Sequence, residues 1–311
     1  MSGPVFVCGA TGTQGGAVAR HLRNANVPVH ALVRDPTSPK AKSLEALGVT
    51  IYPGSWDDKD ALKPALEGTK SAFLNFMPSF TDPLKELRDV ETVLEAAKEA
   101  GVEHIVYSSA WGFTRAMAAL PAYNDPSSPV GHILKSKLDA VDAVVNSGFS
   151  PTILLPGKFM SDFHGPGIAW FGNLSKTGLF DTALRKGGRI PFVDPNDIGA
   201  FGAAALMDPE KFAGQRVDIY TEILGMEEAT AMLAQALGKK MSVRFMSDEE
   251  VEEKSKVDIF MKAQEMMRDI GEPDSMDNVK KWGIPVGSFR SYIEREKRAL
   301  EETFAQVPDA N

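Results

Sequence analysis

Short apolar runs alternate with stretches of helical periodicity through the first half of the chain. Six runs rich in β-branched and aromatic residues predict strands at residues 5–8, 29–33, 49–52, 72–75, 104–108 and 152–155. Helices are predicted between them near residues 14–24, 39–47, 59–66, 83–100 and 134–146. Strands and helices that alternate in this way form a parallel sheet covered by helices on both faces. The pattern therefore predicts a doubly wound α/β fold.

A glycine-rich turn follows the first predicted strand. Residues 9–16 read GATGTQGG and stand between that strand and a helix, which is the order that a pyrophosphate site requires. Gly9, Gly12 and Gly15 have no Cβ to obstruct close approach of the backbone to phosphates or to forbid a positive φ. The free N–H groups at the start of the helix then face the anion. The sequence thus predicts a dinucleotide site on a parallel Rossmann sheet.

The residues after the second predicted strand bear on which dinucleotide is bound. Arg34 can make a planar, bidentate contact with a 2′-phosphate, and Lys40 and Lys42 add positive charge nearby. Asp35 keeps open the alternative in which an acid bonds the ribose hydroxyls of NAD. We expect NADP(H) in preference to NAD(H), with a solvated Arg–Asp turn as the structural alternative.

The alternation ends after residue 155. Residues 156–194 are rich in Gly, Phe and Met without a steady period, which predicts loops on the substrate side. Beyond them the pattern predicts helices at 197–206, 227–237, from 248 onward and at 289–304, strands at 217–220 and 242–246, and a loop-rich stretch at 271–285. We expect a dinucleotide-binding domain over residues 1–155 and a smaller α+β substrate lobe over residues 156–311, with segments of about 190–220 returning to the Rossmann sheet.

Composition narrows the class of protein. The 311 residues are 43% hydrophobic and 24% charged, as in ordinary globular proteins. A net charge of −8 without a basic stripe argues against a nucleic-acid partner. The longest apolar stretch near the middle, residues 198–207, is far shorter than the ~20 residues of a membrane span, so no membrane partner is expected. The single cysteine favours a reducing compartment, we expect a cytoplasmic protein, and no Cys/His spacing predicts a metal site.

Several segments resemble motifs of one known family. The NmrA-like family is a branch of the atypical short-chain dehydrogenases that also includes isoflavone-reductase-like enzymes, and its motifs are similar to GATGTQGGAV, ALVRDP, YPGSWDD, HIVYSSAWG, KLDAVDAVVNSGFSPTILLP and IPFVDPNDIGAFGAAAL. The resemblance runs from Val5 to about Gly238. It implies a Rossmann domain, a NAD(P) site and a cleft between two lobes. The family contains both reductases and cofactor-sensing regulators, so the resemblance leaves the function open.

The resemblance also implies which residues hold the dinucleotide. The implied contacts are those of Gly9, Thr11, Gly12, Thr13, Gln14 and Gly15 with the pyrophosphate, Arg34 with the 2′-phosphate, Asp57 with adenine, and Asn75, Phe76 and Met77 on the path to the nicotinamide ribose. Beside these we expect Lys42 near the 2′-phosphate, and Ser108, Lys137, Pro156 and Phe159 on the nicotinamide side. Two positions depart from the family pattern. Ser55 stands where an Asp is common, and Leu155 stands where an Arg often precedes the proline.

The catalytic residues of the wider superfamily are only partly present. Those enzymes place a Tyr four residues before a Lys, and here Ile133 stands four residues before Lys137. Lys137 matches the family's lysine by its distance to Ser147-Gly148, so we expect it to reach the nicotinamide ribose. In a cationic or desolvating pocket that lowers its pKa, Lys137 would also act as the acid. The other candidates for contact with the reacting oxygen or for proton transfer are Ser108, Ser109, His132, Lys135 and Tyr123.

Aromatic side chains and one methionine cluster in the segments around the expected nicotinamide, at Trp111, Phe113, Phe159, Met160, Phe163, Trp170 and Phe171. Such residues form either core or an apolar pocket, and beside a cofactor we favour a pocket. The main hypothesis is therefore an NADPH-dependent oxidoreductase that reduces a carbonyl or conjugated double bond of a small, flat, hydrophobic molecule of aromatic or polyketide type. The alternative, motivated by the missing tyrosine, is a non-catalytic NADP(H)-sensing regulatory protein that binds a protein partner through acidic C-terminal helices.

Overall fold

Parallel strand pairing underlies the alternation in the first half of the chain. The computed structural model describes residues 3–79, 82–113, 117, 121–125, 128–273 and 275–310. The chain divides into two units, Met1–Pro156 with Pro195–Ile219, and Gly157–Asp194 with Tyr220–Asn311. The strands of the first unit are β1 (Val5–Val7), β2 (Val29–Val33), β3 (Val49–Pro53), β4 (Ser71–Leu74), β5 (His104–Ser108), β6 (Thr152–Pro156) and β10 (Arg216–Ile219). They form one parallel sheet in the order β3-β2-β1-β4-β5-β6-β10.

Helices connect these strands, as the doubly wound α/β prediction requires, and the fold class is confirmed. They are α1 (Thr13–Asn24), α2 (Pro39–Ala46), α3 (Lys59–Leu66), α4 (Lys85–Glu99), α5 (Pro121–Asn124), α6 (Pro129–Val145), α8 (Pro195–Met207) and α9 (Pro209–Phe212). Helix α6 begins five residues before its predicted start, because the Ser128 side chain caps it by accepting the Gly131 N–H and Pro129 suits a first helical turn.

Strand order places the functional edge of this sheet. All residues of β1, β4, β5 and β6 are buried, which is why these strands read as continuous apolar runs instead of alternating ones. The chain direction across the sheet reverses between β1 and β4, because β2 and β3 lie on one side of β1 and the later strands on the other. Ligands of open parallel sheets bind at the carboxyl ends of the strands beside such a reversal.

The second unit has strands where the sequence predicts loops. Residues 157–194 contain β7 (Lys158–Phe159), two 3₁₀ segments (Met160–Phe163 and Gly165–Phe171), α7 (Leu174–Thr177), β8 (Leu179–Thr182) and β9 (Arg189–Val193). The remaining elements of this unit are β11 (Glu222–Gly225), α10 (Met226–Leu237), β12 (Ser242–Phe245), α11 (Asp248–Ser255), α12 (Ile259–Ile270), α13 (Asp277–Lys280), α14 (Phe289–Arg295) and α15 (Lys297–Thr303). Strand β9 pairs with β7 and β11, and β8 pairs with β12. The single helix predicted at 289–304 is divided at Glu296 into α14 and α15.

Aromatic residues form the core of the second unit. The rings of Phe163 and Phe171 stack with centroids 4.2 Å apart, and Phe163 also contacts Phe192 and Phe289. Met160, Phe163 and Phe171 are wholly buried and Trp170 nearly so; the interpretation of these four side chains as a substrate pocket is therefore wrong. They lack a helical or strand period because they lie in 3₁₀ segments, and packing within this unit is what buries them.

Two features are absent from the described ranges of the chain. No helix there is both long and apolar enough to cross a lipid bilayer. No group of three or more His, Cys, Asp or Glu side chains there is arranged to hold a metal ion.

Two glycines of α8 allow it to pack directly on α1. A Cβ built on Gly199 would lie 2.7 Å from the carbonyl carbon of Ala17, and one on Gly202 would lie 2.7 Å from Cγ2 of Val18. On helix propensity alone, Gly199→Ala would stabilise the protein by about 1 kcal/mol. We expect the opposite sign, a loss of roughly 1–3 kcal/mol from overpacking, in urea unfolding followed by circular dichroism.

The matched control is the neighbouring half-buried position. Ala200→Gly should cost only the ordinary ~0.5–1 kcal/mol of a glycine in a helix. A Gly199→Ala protein as stable as the wild type, or more stable, would contradict the packing described for α1 and α8.

Candidate functional site

The glycine turn closes tightly on itself between β1 and α1. Gly9 has φ +64°, and the Gly12 N–H donates to the Gly9 carbonyl at 2.8 Å. A Cβ on Gly15 would lie 2.4 Å from the same carbonyl oxygen, and one on Gly9 would lie 2.6 Å from Oδ1 of Asn75. Glycine is thus required at these positions by the turn itself. The N-cap of α1 is Gly12, which has no side chain to occupy the first N–H groups, so they are available to an anion.

A cavity of about 360 Å³ opens beside this turn. Its lining comes from the turn, α1 and α2, and consists of Ala10, Thr11, Gly12, Thr13, Gly16, Arg20, Lys40, Ser43, Leu44 and Leu47. Arg20 and Lys40 are its cationic residues. Lys42, which we expect near the 2′-phosphate because of its charge, is not part of this lining and pairs with Glu45 at 2.8 Å. Lys40 is therefore better placed than Lys42 to meet a phosphate beside the turn.

Arg34 and Asp35 at the end of β2 differ in how they are engaged. The Asp35 carboxylate accepts the backbone N–H and the hydroxyl of Thr37 at 2.8 and 2.6 Å. These bonds hold the pKa of Asp35 below its usual value and commit the side chain to its own turn. Arg34 is exposed and has no hydrogen-bond or ion-pair partner among the described residues. Of the two, Arg34 is the one available to a ligand.

Asp57 follows β3 and is also held locally. The Ser55 hydroxyl donates to its carboxylate, and this bond lowers the pKa of Asp57. Ser55, the departure from the family pattern, therefore fixes the carboxylate that the resemblance assigns to adenine.

The three residues after β4 occupy different environments. The Phe76 ring is buried, with Trp56 packed edge-on against it at 5.0 Å, so it is core and only its backbone faces the site. Met77 is 78% exposed. The side-chain oxygen of Asn75 is buried beside Gly9 and has no hydrogen-bond partner in the described part of the chain.

Ser108 is the last residue of β5, and Ser109 follows it at the carboxyl edge of the sheet. The Ser108 hydroxyl donates to Oε1 of Gln14 at 2.6 Å, which ties the strand end to α1. The Ser109 hydroxyl is buried and, like the Asn75 oxygen, has no partner among the described residues. An unpaired buried polar atom costs roughly 1–3 kcal/mol, which a ligand that bonds it recovers. Two such atoms at the carboxyl ends of neighbouring strands fit the ribose hydroxyls and amide of a dinucleotide.

Lys137 projects from α6 to an anionic partner. Its ammonium group, on a side chain only 12% exposed, donates to Oε1 of Glu86 at 2.5 Å and to the Phe76 carbonyl at 2.6 Å. The prediction that Lys137 acts as the acid requires a cationic or desolvating pocket. The structure places the fully buried carboxylate of Glu86 against this ammonium, which leaves one N–H donor of Lys137 for a ligand. Sequence reasoning missed Glu86.

His132, Lys135 and Tyr123 lie apart from Lys137. They line a second cavity of about 420 Å³ together with Pro83, Leu84, Asn124, Asp125, Gly131 and Asp139. Residues 131, 132, 135 and 139 share one face of α6, whereas Lys137 leaves another face toward Glu86. Lys135 is also paired with Asp139. The structure therefore does not bring these candidates together with Lys137.

Pro156 and Phe159 fall in different units. Pro156 ends β6, and its carbonyl accepts the Trp111 N–H at 2.8 Å. Phe159 is half-buried in β7 of the second unit. Its neighbour Lys158, which the sequence did not single out, pairs with Asp162 and lies over the Trp170 ring at 4.4 Å. Burial lowers the pKa of Lys158.

Comparison with known proteins gives consistent matches. The sequence model of the NmrA-like family matches residues 1–306. The NmrA-like family domain-containing oxidoreductase notA of Aspergillus sp. (strain MF297-2) is 41% identical over 260 residues, which cover 76% of this chain and 74% of that protein. The NAD(P)H azoreductase of Xenophilus azovorans is 30% identical over 239 residues, with coverage of 76% and 74%.

Solved structures share the fold at low identity. The NADPH-dependent quinone oxidoreductase QOR2 of Escherichia coli, complexed with NADPH, has a TM-score of 0.66 and 22% identity, covering 94% of this chain and 99% of that one. The triphenylmethane reductase of Citrobacter sp., complexed with NADP(H), has a TM-score of 0.70 and 21% identity, with the same coverage.

The free guanidinium of Arg34 leads to a prediction about coenzyme preference. Arg34→Ala should weaken NADPH binding by roughly 10- to 100-fold, because a charge-assisted hydrogen bond is worth about 1.5–3 kcal/mol. NADH binding should change little, since NADH has no 2′-phosphate. Titration calorimetry of both coenzymes measures the difference.

Lys42→Ala is the matched control, because its ammonium is exposed and already paired with Glu45. It should alter NADPH affinity less than Lys40→Ala does. Equal losses for NADPH and NADH in Arg34→Ala would show that Arg34 does not read the 2′-phosphate.

Proposed function

Because the chain belongs to the NmrA-like family, we propose that it transfers hydride from NADPH to a small, flat acceptor with a conjugated double-bond system. Curated relatives carry the names oxidoreductase and reductase, and the chain is accordingly an NAD(P)-dependent oxidoreductase. NADPH supplies the hydride. The proposal concerns the acceptor, which must take that hydride and a proton.

The observation that carries the proposal is the environment of Lys137. Ile133 replaces the tyrosine that would donate a proton, and Glu86 pairs with the lysine that would assist it. An acceptor such as an isolated ketone becomes a strongly basic alkoxide as hydride arrives, and it needs an acid within reach. A quinone or enone takes the new charge onto a phenolate or enolate oxygen, which is less basic than an alkoxide, so water suffices to protonate it. The described residues around Lys137 therefore suit conjugated acceptors.

The chain's own residues have distinct roles in this proposal. The N–H groups at the start of α1 hold the pyrophosphate, Arg34 and Lys40 hold the 2′-phosphate, and Lys137 holds the nicotinamide ribose. Ser109 offers its unpaired hydroxyl to the acceptor or to the carboxamide of the coenzyme. Trp111 and Phe113 in the first unit, both half-buried, remain as apolar surface for a flat ring system.

The names of the relatives support the same acceptor class. One relative is called an azoreductase, another a (4-alkanoyl-5-oxo-2,5-dihydrofuran-3-yl)methyl phosphate reductase, and two structural neighbours a quinone oxidoreductase and a triphenylmethane reductase. Each of these names describes an acceptor with conjugated bonds. Such a range of acceptors fits a site that holds the coenzyme in a fixed position and in which the protein contributes little to proton transfer.

A panel of acceptors tests the proposal. NADPH consumption, followed at its absorbance maximum, should be faster with quinones and enones than with matched saturated ketones. The difference in kcat/KM should be at least ~100-fold, the lower end of what a positioned general acid contributes. Saturated ketones reduced as fast as enones would contradict the absence of an acid. NADPH binding without consumption across the panel would instead favour the regulatory alternative.

A further inference from the structure

Glu86 is a carboxylate wholly removed from solvent. It is the second residue of α4, and its side chain is 0% exposed. Three donors converge on it: Lys137 and the Tyr107 hydroxyl bond Oε1 at 2.5 and 3.3 Å, and the Ser136 hydroxyl bonds Oε2 at 2.8 Å. The start of a helix also favours negative charge. These donors balance the buried negative charge of Glu86, and their bonds join α4 to β5 and α6.

The lysine in this cluster is held from two sides. Its ammonium bonds Glu86 on α4 and the carbonyl of Phe76 just after β4. An ammonium group has three tetrahedrally arranged N–H donors, so two fixed acceptors determine the direction of the third. A rigid third donor at the carboxyl edge of the sheet is what a ribose hydroxyl requires.

We infer that Glu86 is the positioning residue that holds Lys137 for the nicotinamide half of the coenzyme. The inference rests on the coenzyme of the proposed function and is independent of which acceptor is reduced. Glu86 does not touch the ligand in this arrangement. It acts through Lys137, and its negative charge is needed because it faces a nearly buried cation.

The neutral neighbours of Glu86 do not require that charge. The hydroxyls of Tyr107 and Ser136 can donate to an uncharged amide oxygen or reorient toward it. Glu86→Gln keeps the size and shape of the side chain and removes only the ion pair. Its effect on ligand binding therefore separates the charge from the packing.

The experiment compares a whole coenzyme with half of one. Titration calorimetry of Glu86→Gln with NADPH should give roughly 10-fold weaker binding, the loss expected when a charge-assisted contact is misplaced. Binding of 2′,5′-ADP, which carries the adenosine half and its 2′-phosphate but no nicotinamide, should stay within about twofold of the wild type. General damage to the fold would weaken both ligands together.

Asp89→Asn is the matched control on the same helix. Asp89 is also buried and also paired with a lysine, but its partner Lys85 is half-exposed on α4 itself. Loss of that charge should leave the NADPH and 2′,5′-ADP affinities in the wild-type ratio.

A double variant keeps the inference testable if Glu86→Gln alone is unstable. Glu86→Gln combined with Lys137→Met leaves no unpaired buried charge, and it should bind NADPH no more weakly than Lys137→Met alone. Wild-type NADPH affinity in Glu86→Gln, parallel losses for both ligands, or additive losses in the double variant would each overturn the inference. If the wild type itself bound no NADPH, the proposed coenzyme would fail instead.

Discussion

The contact between the glycine turn and the carboxyl end of β4 is the constraint on which the rest of the site depends. Gly15 lies so close to the Gly9 carbonyl that α1 can start immediately beyond the end of β1. From that start, Gln14 reaches Ser108 at the end of β5, and Asn75 lies against Gly9. A side chain at Gly15 would meet the backbone of Cys8 and Gly9, and one at Gly9 would meet the side chain of Asn75. The N–H groups at the start of α1 and the polar side chains around them are thus held in place by the close approaches at these two glycines.

The fold of the first unit follows from its sequence because its signals are local. Fully buried parallel strands read as short apolar runs, and each helix between them has its own period and start signals. The second unit gives weaker signals. Four of its core residues, Met160, Phe163, Trp170 and Phe171, lie in short 3₁₀ segments, where no period repeats often enough to be recognised. Strand β10 is distant in sequence from β6, with which it pairs in the first unit. Only tertiary pairing decides such a position.

The same division applies to the candidate site. Turn residues such as Gly9 and Gly15 are predicted by the motif, because the backbone geometry that requires glycine arises within the turn itself. The sequence does not predict Glu86 as a site residue, because it stands in a charged stretch that is typical of a solvent-exposed helix end. A signal does exist, since Glu86 shares a helical face with Val90, Val93 and Ala97, all of which are buried. An acid that continues an apolar stripe is a candidate for a buried partner, and the only way to name that partner is through the fold.

The replacement of a tyrosine by an isoleucine changes what the neighbouring lysine can contribute. Beside a tyrosine, a lysine cation favours the ionised phenol and so assists proton transfer. Beside Glu86, the cation is already matched by an anion, and the pair exerts a weak net field on anything farther away. The pair does fix the orientation of the Lys137 side chain, because breaking it would leave an unpaired charge in a site that is nearly closed to water. In the proposed function, this pair fixes the position of the coenzyme, and the acceptor itself stabilises the new negative charge. The proposed preference for a conjugated acceptor thus follows from the missing tyrosine, and the Glu86–Lys137 pair supplies orientation in place of an acid.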